Sequence, residues 1–299
     1  VIVGLVASGA LGVDDAVPMI MGANIGTTVT NTLVSLGHVR QSNEFRRAFA
    51  AATVHDFFNV LAVMTLLPIE LATGWISSFA EWLSERLVGS AGTDWESPIK
   101  RWVKEPVGWI EDGLGAVVDG DNLLGTSMVV VGLVVVLASL IFITKNMKVL
   151  VAERVERSMN AILGRGGGFV AIIVGVLITV AVQSSSITTS ILIPMSAAGV
   201  IKLRNAYPVT LGANVGTTIT ALLAALAASR PEALTIAFVH TTFNVVGILI
   251  LYVIPFLRPM PILAAEKLAD IAVERRSIAV AYVVGSFIVL PLVGVAVFR

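Results

Sequence analysis

Long stretches of the chain carry no Asp, Glu, Lys or Arg. Leu123 to Thr144, Ala206 to Ser229 and Ser277 to Phe298 are such runs, of 22, 24 and 22 residues, and about 20 apolar residues in a helix cross the ~30 Å of bilayer hydrocarbon. Ala48 to Leu67 is a fourth, in which Asp56, beside His55, is the one formal charge. These runs lack apolar/polar alternation and exceed the roughly 10 residues of a barrel strand, so they predict helices and argue against a β-barrel. Gly166 to Ile201 is longer still: its 36 uncharged residues would make a helix of about 54 Å, too long for one perpendicular span. Its middle holds Gln183, Ser184, Ser185, Ser186, Thr188, Thr189 and Ser190. Such side chains compete for backbone hydrogen bonds, so a helix break or re-entrant hairpin is predicted there. Pro194 and Gly199 then help turn the chain.

The polar positions recur. "GANIGTTVTNTL" from Gly22 matches "GANVGTTITALL" from Gly212 at eight of twelve positions, at an offset of 190. "HDFFNV" at His55 is answered by "HTTFNV" at His240, at an offset of 185. Two islands in the same order predict an internal duplication, a frequent device in transporters. At the 190 offset Val1 falls opposite Ile191, so the counterpart of "QSSS" (Gln183 to Ser186) is expected shortly before Val1. The opening "VIVGLVASGA", with no initiator Met and no charged leader, reads as cut inside an element.

Composition agrees with the pattern: 56% of 299 residues are hydrophobic and 13% charged, with a mean hydropathy of +0.91, well outside the soluble range. Net charge is zero and there is no cysteine, which speaks against nucleic acid as a partner and excludes disulfides and thiol ligands. The basic connections Arg40 to Arg47 and Lys145 to Arg165 are expected on the cytoplasmic side, and Trp75 to Asp121, with nine acids against four bases, outside. Asp14 and Asp15 precede the first signature helix, whereas Lys202 and Arg204 precede the second. The two copies are therefore expected to be inverted. The outer connector, with Trp75, Ile76, Phe79, Trp82, Leu83 and Leu87 near helical spacing, reads as amphipathic helix on the membrane surface.

The expected class is all-α: a polytopic helical membrane protein of two inverted repeats with re-entrant or broken helices. Its divisions are a first repeat at 1–71, an extracellular connector at 72–121 and a linking helix with a cytoplasmic loop at 122–165. A second repeat at 166–257 and a cytoplasmic connector with a C-terminal span at 258–299 complete it.

A lone Asn or Thr in a membrane helix is usually glue between helices. Here Asn24, Thr27, Thr28, Thr30, Asn31 and Thr32 are answered by Asn214, Thr217, Thr218 and Thr220, and packing alone explains that cluster less well than a site does. Free carbonyls at broken helices suit Na⁺, and free N–H groups at a helix start suit an anion. A buried ionisable group such as Asp56 or His55 marks an ion path by default. His240 lacks the acid, because Thr241 stands opposite Asp56. His55 and His240 are either site-lining or structural, and Asn59 and Asn244, one turn beyond each, are either ligands or helix glue. No dinucleotide fingerprint, P-loop, HExxH or nucleophile elbow is present.

Together "QSSS", the two "GAN" motifs, "FRRAFAAATVHDFFNV" and "AFVHTTFNVVGI" closely resemble the type II sodium/phosphate cotransporters. The resemblance covers nearly the whole chain outside Trp75 to Asp121. It implies Na⁺-driven uptake of inorganic phosphate by two inverted repeats, each with a re-entrant QSSS. It points to Gln183, Ser184, Ser185 and Ser186, with Asn24, Thr27, Thr28, Asn214, Thr217 and Thr218 of the two motifs, for phosphate. For sodium it points to Asp56, Asn59 and Thr32, with Ser185, Thr189 and Asn244 as further oxygen ligands. In that family an acid after this His accompanies electrogenic transport. No cofactor is expected beyond Na⁺ as the coupling ion. The partners expected are inorganic phosphate, Na⁺ and the lipid bilayer, with a homodimer possible. The cysteine-free outer loop suggests a bacterial-type member, hence a multi-pass protein of the plasma (inner) membrane. A carrier of another oxyanion and a channel-like or structural membrane protein are the competing functions; an enzyme is the least favoured.

Overall fold

In a computed structural model the chain is described over residues 1–89, 98–118, 122–132, 167–227 and 231–297, with 120, 134–135 and 138 besides. The expected cytoplasmic loop Lys145 to Arg165, and the second half of the span expected at Leu123 to Thr144, lie outside the described residues. Among those described, all regular structure is helical. The elements are α1 (Ile2–Ser8), α2 (Val13–Gly26), α3 (Val29–Leu36), α4 (Ser42–Thr73), α5 (Trp75–Gly89) and α6 (Pro98–Gly115), then α7 (Asn122–Gly132). After them come α8 (Gly168–Val182), α9 (Ser185–Ala197), α10 (Leu203–Ala227), α11 (Pro231–Ile248), α12 (Pro259–Glu274), α13 (Arg276–Val284) and α14 (Leu290–Val297). A π-helical turn, Leu249–Val253, extends α11, and another, Gly285–Val289, joins α13 to α14.

Among the described residues four helices are long and apolar enough to cross a membrane: Ser42–Thr73, Leu203–Ala227, Pro231–Val253 and Arg276–Val293. The last displays Val280, Ile288, Leu290 and Leu292 on its outside, each more than half exposed, a face that suits lipid. The core joins Ile20 and Met21 of α2, Val54 and Phe58 of α4, Leu211 of α10, and Val239 and Phe243 of α11. A second joint, between α4 and α9, is built from Ile193 and from Ala48, Ala52 and Ala197, and the small alanine side chains let the two helices approach closely.

The 36-residue run breaks where its hydroxyls accumulate. Gln183 takes the left-handed conformation at φ 58°, the one described non-glycine to do so, and Ser184 is extended, its Oγ accepting from Ile187 N at 3.3 Å as the N-cap of α9. The two limbs are tied by Thr179 Oγ1 donating to Thr188 Oγ1 at 2.9 Å. The hairpin is then clamped onto α10 through glycines. A Cβ added at Gly212 would lie 2.0 Å from Ile172 O, one at Gly175 would lie 2.2 Å from Val209 O, and one at Gly216 would lie 2.6 Å from Thr179 Cβ.

Element boundaries recur at the 190-residue offset. α2 starts at Val13 and α10 at Leu203, and the turns before them carry Gly9 and Gly199, both at φ 77°. The copies differ at the signature itself, a contrast that the nearly identical motifs did not predict. α10 runs straight through it, whereas the first copy stops at Gly26, turns at Thr27 and Thr28, and resumes as α3. Added Cβ atoms at Gly22 and Gly26 would meet nothing within 4 Å. At the break Thr27 Oγ1 donates to Asn24 O at 2.9 Å and Thr28 Oγ1 to Ile25 O at 2.7 Å.

α4 ends at Gly74 in the left-handed conformation, and the Glu70 carboxylate caps the start of α5 by accepting from Ile76 N at 2.6 Å and Ser77 N at 3.1 Å. α5 is amphipathic, as its spacing suggests. Ile76 and Ala80 are buried, while Trp75, Phe79 and Trp82 stack in an exposed row. It packs on α11, where Ser84 Oγ donates to Pro231 O at 3.3 Å. On the other side of the molecule Arg46 pairs with Asp270 of α12 and holds that carboxyl below the usual carboxylate range.

Candidate functional site

The polar residues of the two signatures converge. A cavity of about 250 Å³ is lined by Asn24, Thr27, Ser185, Asn214, Thr217 and His240, with apolar walls that include Ile20 and Ala23. Six of the expected site residues, drawn from four helices or their ends, thus share one space. None of its lining residues is a Lys, Arg, Asp or Glu.

Behind the cavity a continuous hydrogen-bond network crosses between the copies. His55 Nε2 meets Asn214 Oδ1 at 2.9 Å, Asn214 Nδ2 donates to Asn59 Oδ1 at 2.7 Å, and Asn59 Nδ2 donates to the backbone oxygen of Asn24 at 2.7 Å. His240 Nε2 meets Asn24 Oδ1 at 3.2 Å, and Asn244 Nδ2 approaches that same oxygen at 3.5 Å. Each copy's histidine therefore binds the other copy's motif asparagine.

The network fixes its own proton positions. A backbone carbonyl only accepts, so Asn59 must offer it Nδ2 and turn Oδ1 to Asn214, which must then turn its own Oδ1 to His55. His55 is left to donate from Nε2. Asn24 is anchored likewise, its Nδ2 donating to Ile20 O at 3.2 Å, so His240 also donates from Nε2. The Nδ1 atoms of both histidines and Asn244 Oδ1 are buried without a partner.

Asp56 faces away from this network, toward α3 and α13. Its Oδ2 accepts from Tyr282 Oη at 2.9 Å and from Thr32 Oγ1 at 3.3 Å. Its Oδ1 has no partner, although the residue is 1% exposed. One carboxylate oxygen held by hydroxyls and one left free, in a dry setting, make a ready cation ligand.

The remaining expected residues divide. Thr189 Oγ1 and Ser190 Oγ donate to Asn31 Oδ1 at 2.9 and 3.3 Å, tying α9 to α3. Asn59 and Asn244 join the histidine network rather than the Asp56 cluster. Thr28 and Thr218 are fully buried and bond carbonyls three residues earlier, Ile25 O and Val215 O. Gln183 is exposed, its Nε2 donating to Val180 O at 2.8 Å. Ser184 is the N-cap, which leaves Ser185 and Ser186 in the first turn of α9, where backbone N–H groups lack helical acceptors. Thus the expected sodium ligands do not form one shell: Asp56 and Thr32 are together, and Ser185, Thr189, Asn59 and Asn244 lie elsewhere.

Sequence reasoning missed Tyr282 and gave Asn31 no role. Tyr282 was visible as the one tyrosine in the charge-free run Ser277 to Phe298, but its partner 226 residues earlier was not.

Residues 1–79 and 135–258 match the family described as Na⁺/Pi-cotransporter. The chain is 34% identical to human sodium-dependent phosphate transport protein 2B over 378 aligned positions, covering 98% of this chain and 55% of the relative. It is also 34% identical to rat sodium-dependent phosphate transport protein 2A, over 97% of this chain and 56% of the relative. The chain thus spans about half the length of the relatives it matches. No solved structure matches it. With two thirds of its length inside the family's conserved region, the chain belongs to the Na⁺/Pi-cotransporter family.

Proposed function

We propose that this chain forms the core of a secondary transporter that couples inward Na⁺ flow to uptake of inorganic phosphate by alternating access between two inverted repeats. The observation that carries the reading is the crossed pair His55 to Asn214 and His240 to Asn24, set behind one uncharged cavity. An anion held there has no Lys or Arg against it. Its charge must be met by neutral donors and by a co-bound cation, which makes the cation part of the binding step. The relatives are named for sodium-dependent phosphate transport, which favours this pair of ions over another oxyanion and transport over enzymatic chemistry.

The geometry also divides the labour. Thr27 and Thr217 give their hydroxyl hydrogens to Asn24 O and Ala213 O, so their lone pairs suit Na⁺. Ser185 keeps its hydroxyl free among the described residues and sits at the positive end of α9, so it suits phosphate. Asp56 binds a further cation on a different face of α4 from His55, a quarter-turn or so around the helix. An ion captured there acts on the strand of contacts from α13 and α3 through α4 to the cavity. One chain suffices for this scheme, and a homodimer would leave it unchanged. The cysteine-free connector supports a plasma-membrane protein of bacterial type.

Full-length protein in proteoliposomes is expected to take up labelled phosphate only under an inward Na⁺ gradient. Ser185→Ala removes one donor aimed at the anion and is expected to lower that uptake about tenfold or more, with membrane expression unchanged. Wild-type uptake in this variant would return Ser185 to a packing role.

A further inference from the structure

α9 has a second cavity at its other end. It measures about 300 Å³ and is walled by Arg46, Arg47, Ser196, Lys202, Arg204 and Glu266 among others. Four cations there face one acid. Arg46 is engaged with Asp270, and Arg47 gives hydrogens from Nε, at 2.8 Å, and from Nη2 to Ala197 O, closing the end of α9. Lys202 and Arg204 have no ion-pair partner among the described residues.

The floor of this cavity is Ser196, 2% exposed, whose Oγ has no hydrogen-bond partner. A buried hydroxyl left unsatisfied costs about 1–3 kcal/mol, a cost that a ligand's oxygen would remove. The turn is shaped to bring the cations around it. Gly199, at φ 77°, reverses the chain, and the Arg47 guanidinium lies 3.7 Å from where a Cβ would be. Basic turns at a membrane surface need no special cause, but that tendency does not account for a cavity with an orphaned hydroxyl at its base.

We propose that this cavity binds a phosphate group, as a second site one α9 length, about 20 Å, from the cavity at Ser185. Ser196 and Arg47 form the floor, and Lys202 and Arg204 form the rim. Its cytoplasmic orientation rests on the inverted transporter reading; the site itself does not. The phosphate group has two sources, free inorganic phosphate leaving the transport route and the head group of an anionic phospholipid.

The test uses full-length protein and the variant Lys202→Ala/Arg204→Ala in phosphatidylcholine proteoliposomes, with Ser196→Ala as a second variant that removes only the floor hydroxyl. Counterflow is measured against inorganic phosphate on the cytoplasmic face, and thermal stability in detergent is measured with inorganic phosphate or phosphatidic acid added. A rise of about tenfold in half-saturating cytoplasmic phosphate in the double variant, with external KM unchanged and a smaller rise in Ser196→Ala, establishes the site with free phosphate as its ligand. Unchanged counterflow, with phosphatidic acid stabilising the wild type and not the variants, establishes it with lipid as the ligand. If the variants match the wild type in both measurements, the proposal is overturned. A wild type that carries no phosphate would sink the transport reading alone, because stabilisation by phosphate or phosphatidic acid still reports on this cavity.

Discussion

Asp56→Asn is expected to leave Na⁺-dependent phosphate uptake measurable while abolishing its response to membrane potential. The repeat is symmetric in His55 and His240 but has Thr241 opposite Asp56, and packing symmetry does not require a charge in only one copy. The carboxylate has Oδ2 held by Tyr282 and Thr32 and Oδ1 free in a buried position, an arrangement that suits a cation. Asn preserves its shape and removes the charge. Divalent phosphate carried with three Na⁺ moves one net charge and with two moves none. Each net charge contributes about 2.3 kcal/mol per 100 mV, or roughly 40- to 50-fold in the phosphate gradient that can be sustained. Uptake into proteoliposomes at imposed potassium-diffusion potentials reads this directly. Full voltage dependence in the variant would make Asp56 a structural partner of α13.

Gly212→Leu is expected to prevent the α8–α9 hairpin from docking, with loss of both monodisperse protein and uptake. A Cβ there would lie 2.0 Å from Ile172 O and 2.9 Å from Val176 N. Both are backbone atoms of a helix, so relief requires the two helices to separate. Overpacking a yielding site costs about 1–3 kcal/mol, and a backbone clash belongs at or above the top of that range. Size-exclusion profile and thermal stability in detergent are the readouts. Gly22→Leu in the full-length protein checks the duplication by the same measurement. If a counterpart of α8 docks on the first copy, it is as damaging as Gly212→Leu, and a tolerated Gly22→Leu would count against the repeat.

Periodicity and charge made the spans legible: Ala206 to Ser229 corresponds to α10 and Ser277 to Phe298 to α13 and α14. The break at Gln183 was legible for the same reason it forms, since a run of hydroxyls cannot sustain a helix longer than the membrane needs. The break at Thr27 was not, because the same motif stays helical in α10. In the site, repetition marked Asn24, Asn214, His55 and His240 as belonging together. It could not show that each histidine reaches the opposite copy, nor that Asn59 bridges the two asparagines, because such pairings depend on how the helices cross. Tyr282 was hidden for that reason too.

The central claim is thermodynamic coupling of phosphate to sodium. The most direct measurement is the phosphate concentration ratio at which net flux stops, in proteoliposomes of full-length protein held at a series of Na⁺ ratios and at fixed membrane potential. The account predicts that this ratio rises steeply as the Na⁺ ratio rises, as a power set by the number of Na⁺ carried, and that reversing the Na⁺ gradient reverses phosphate flux. A zero-flux ratio unmoved by the Na⁺ gradient would mean uncoupled permeation, and would contradict the account.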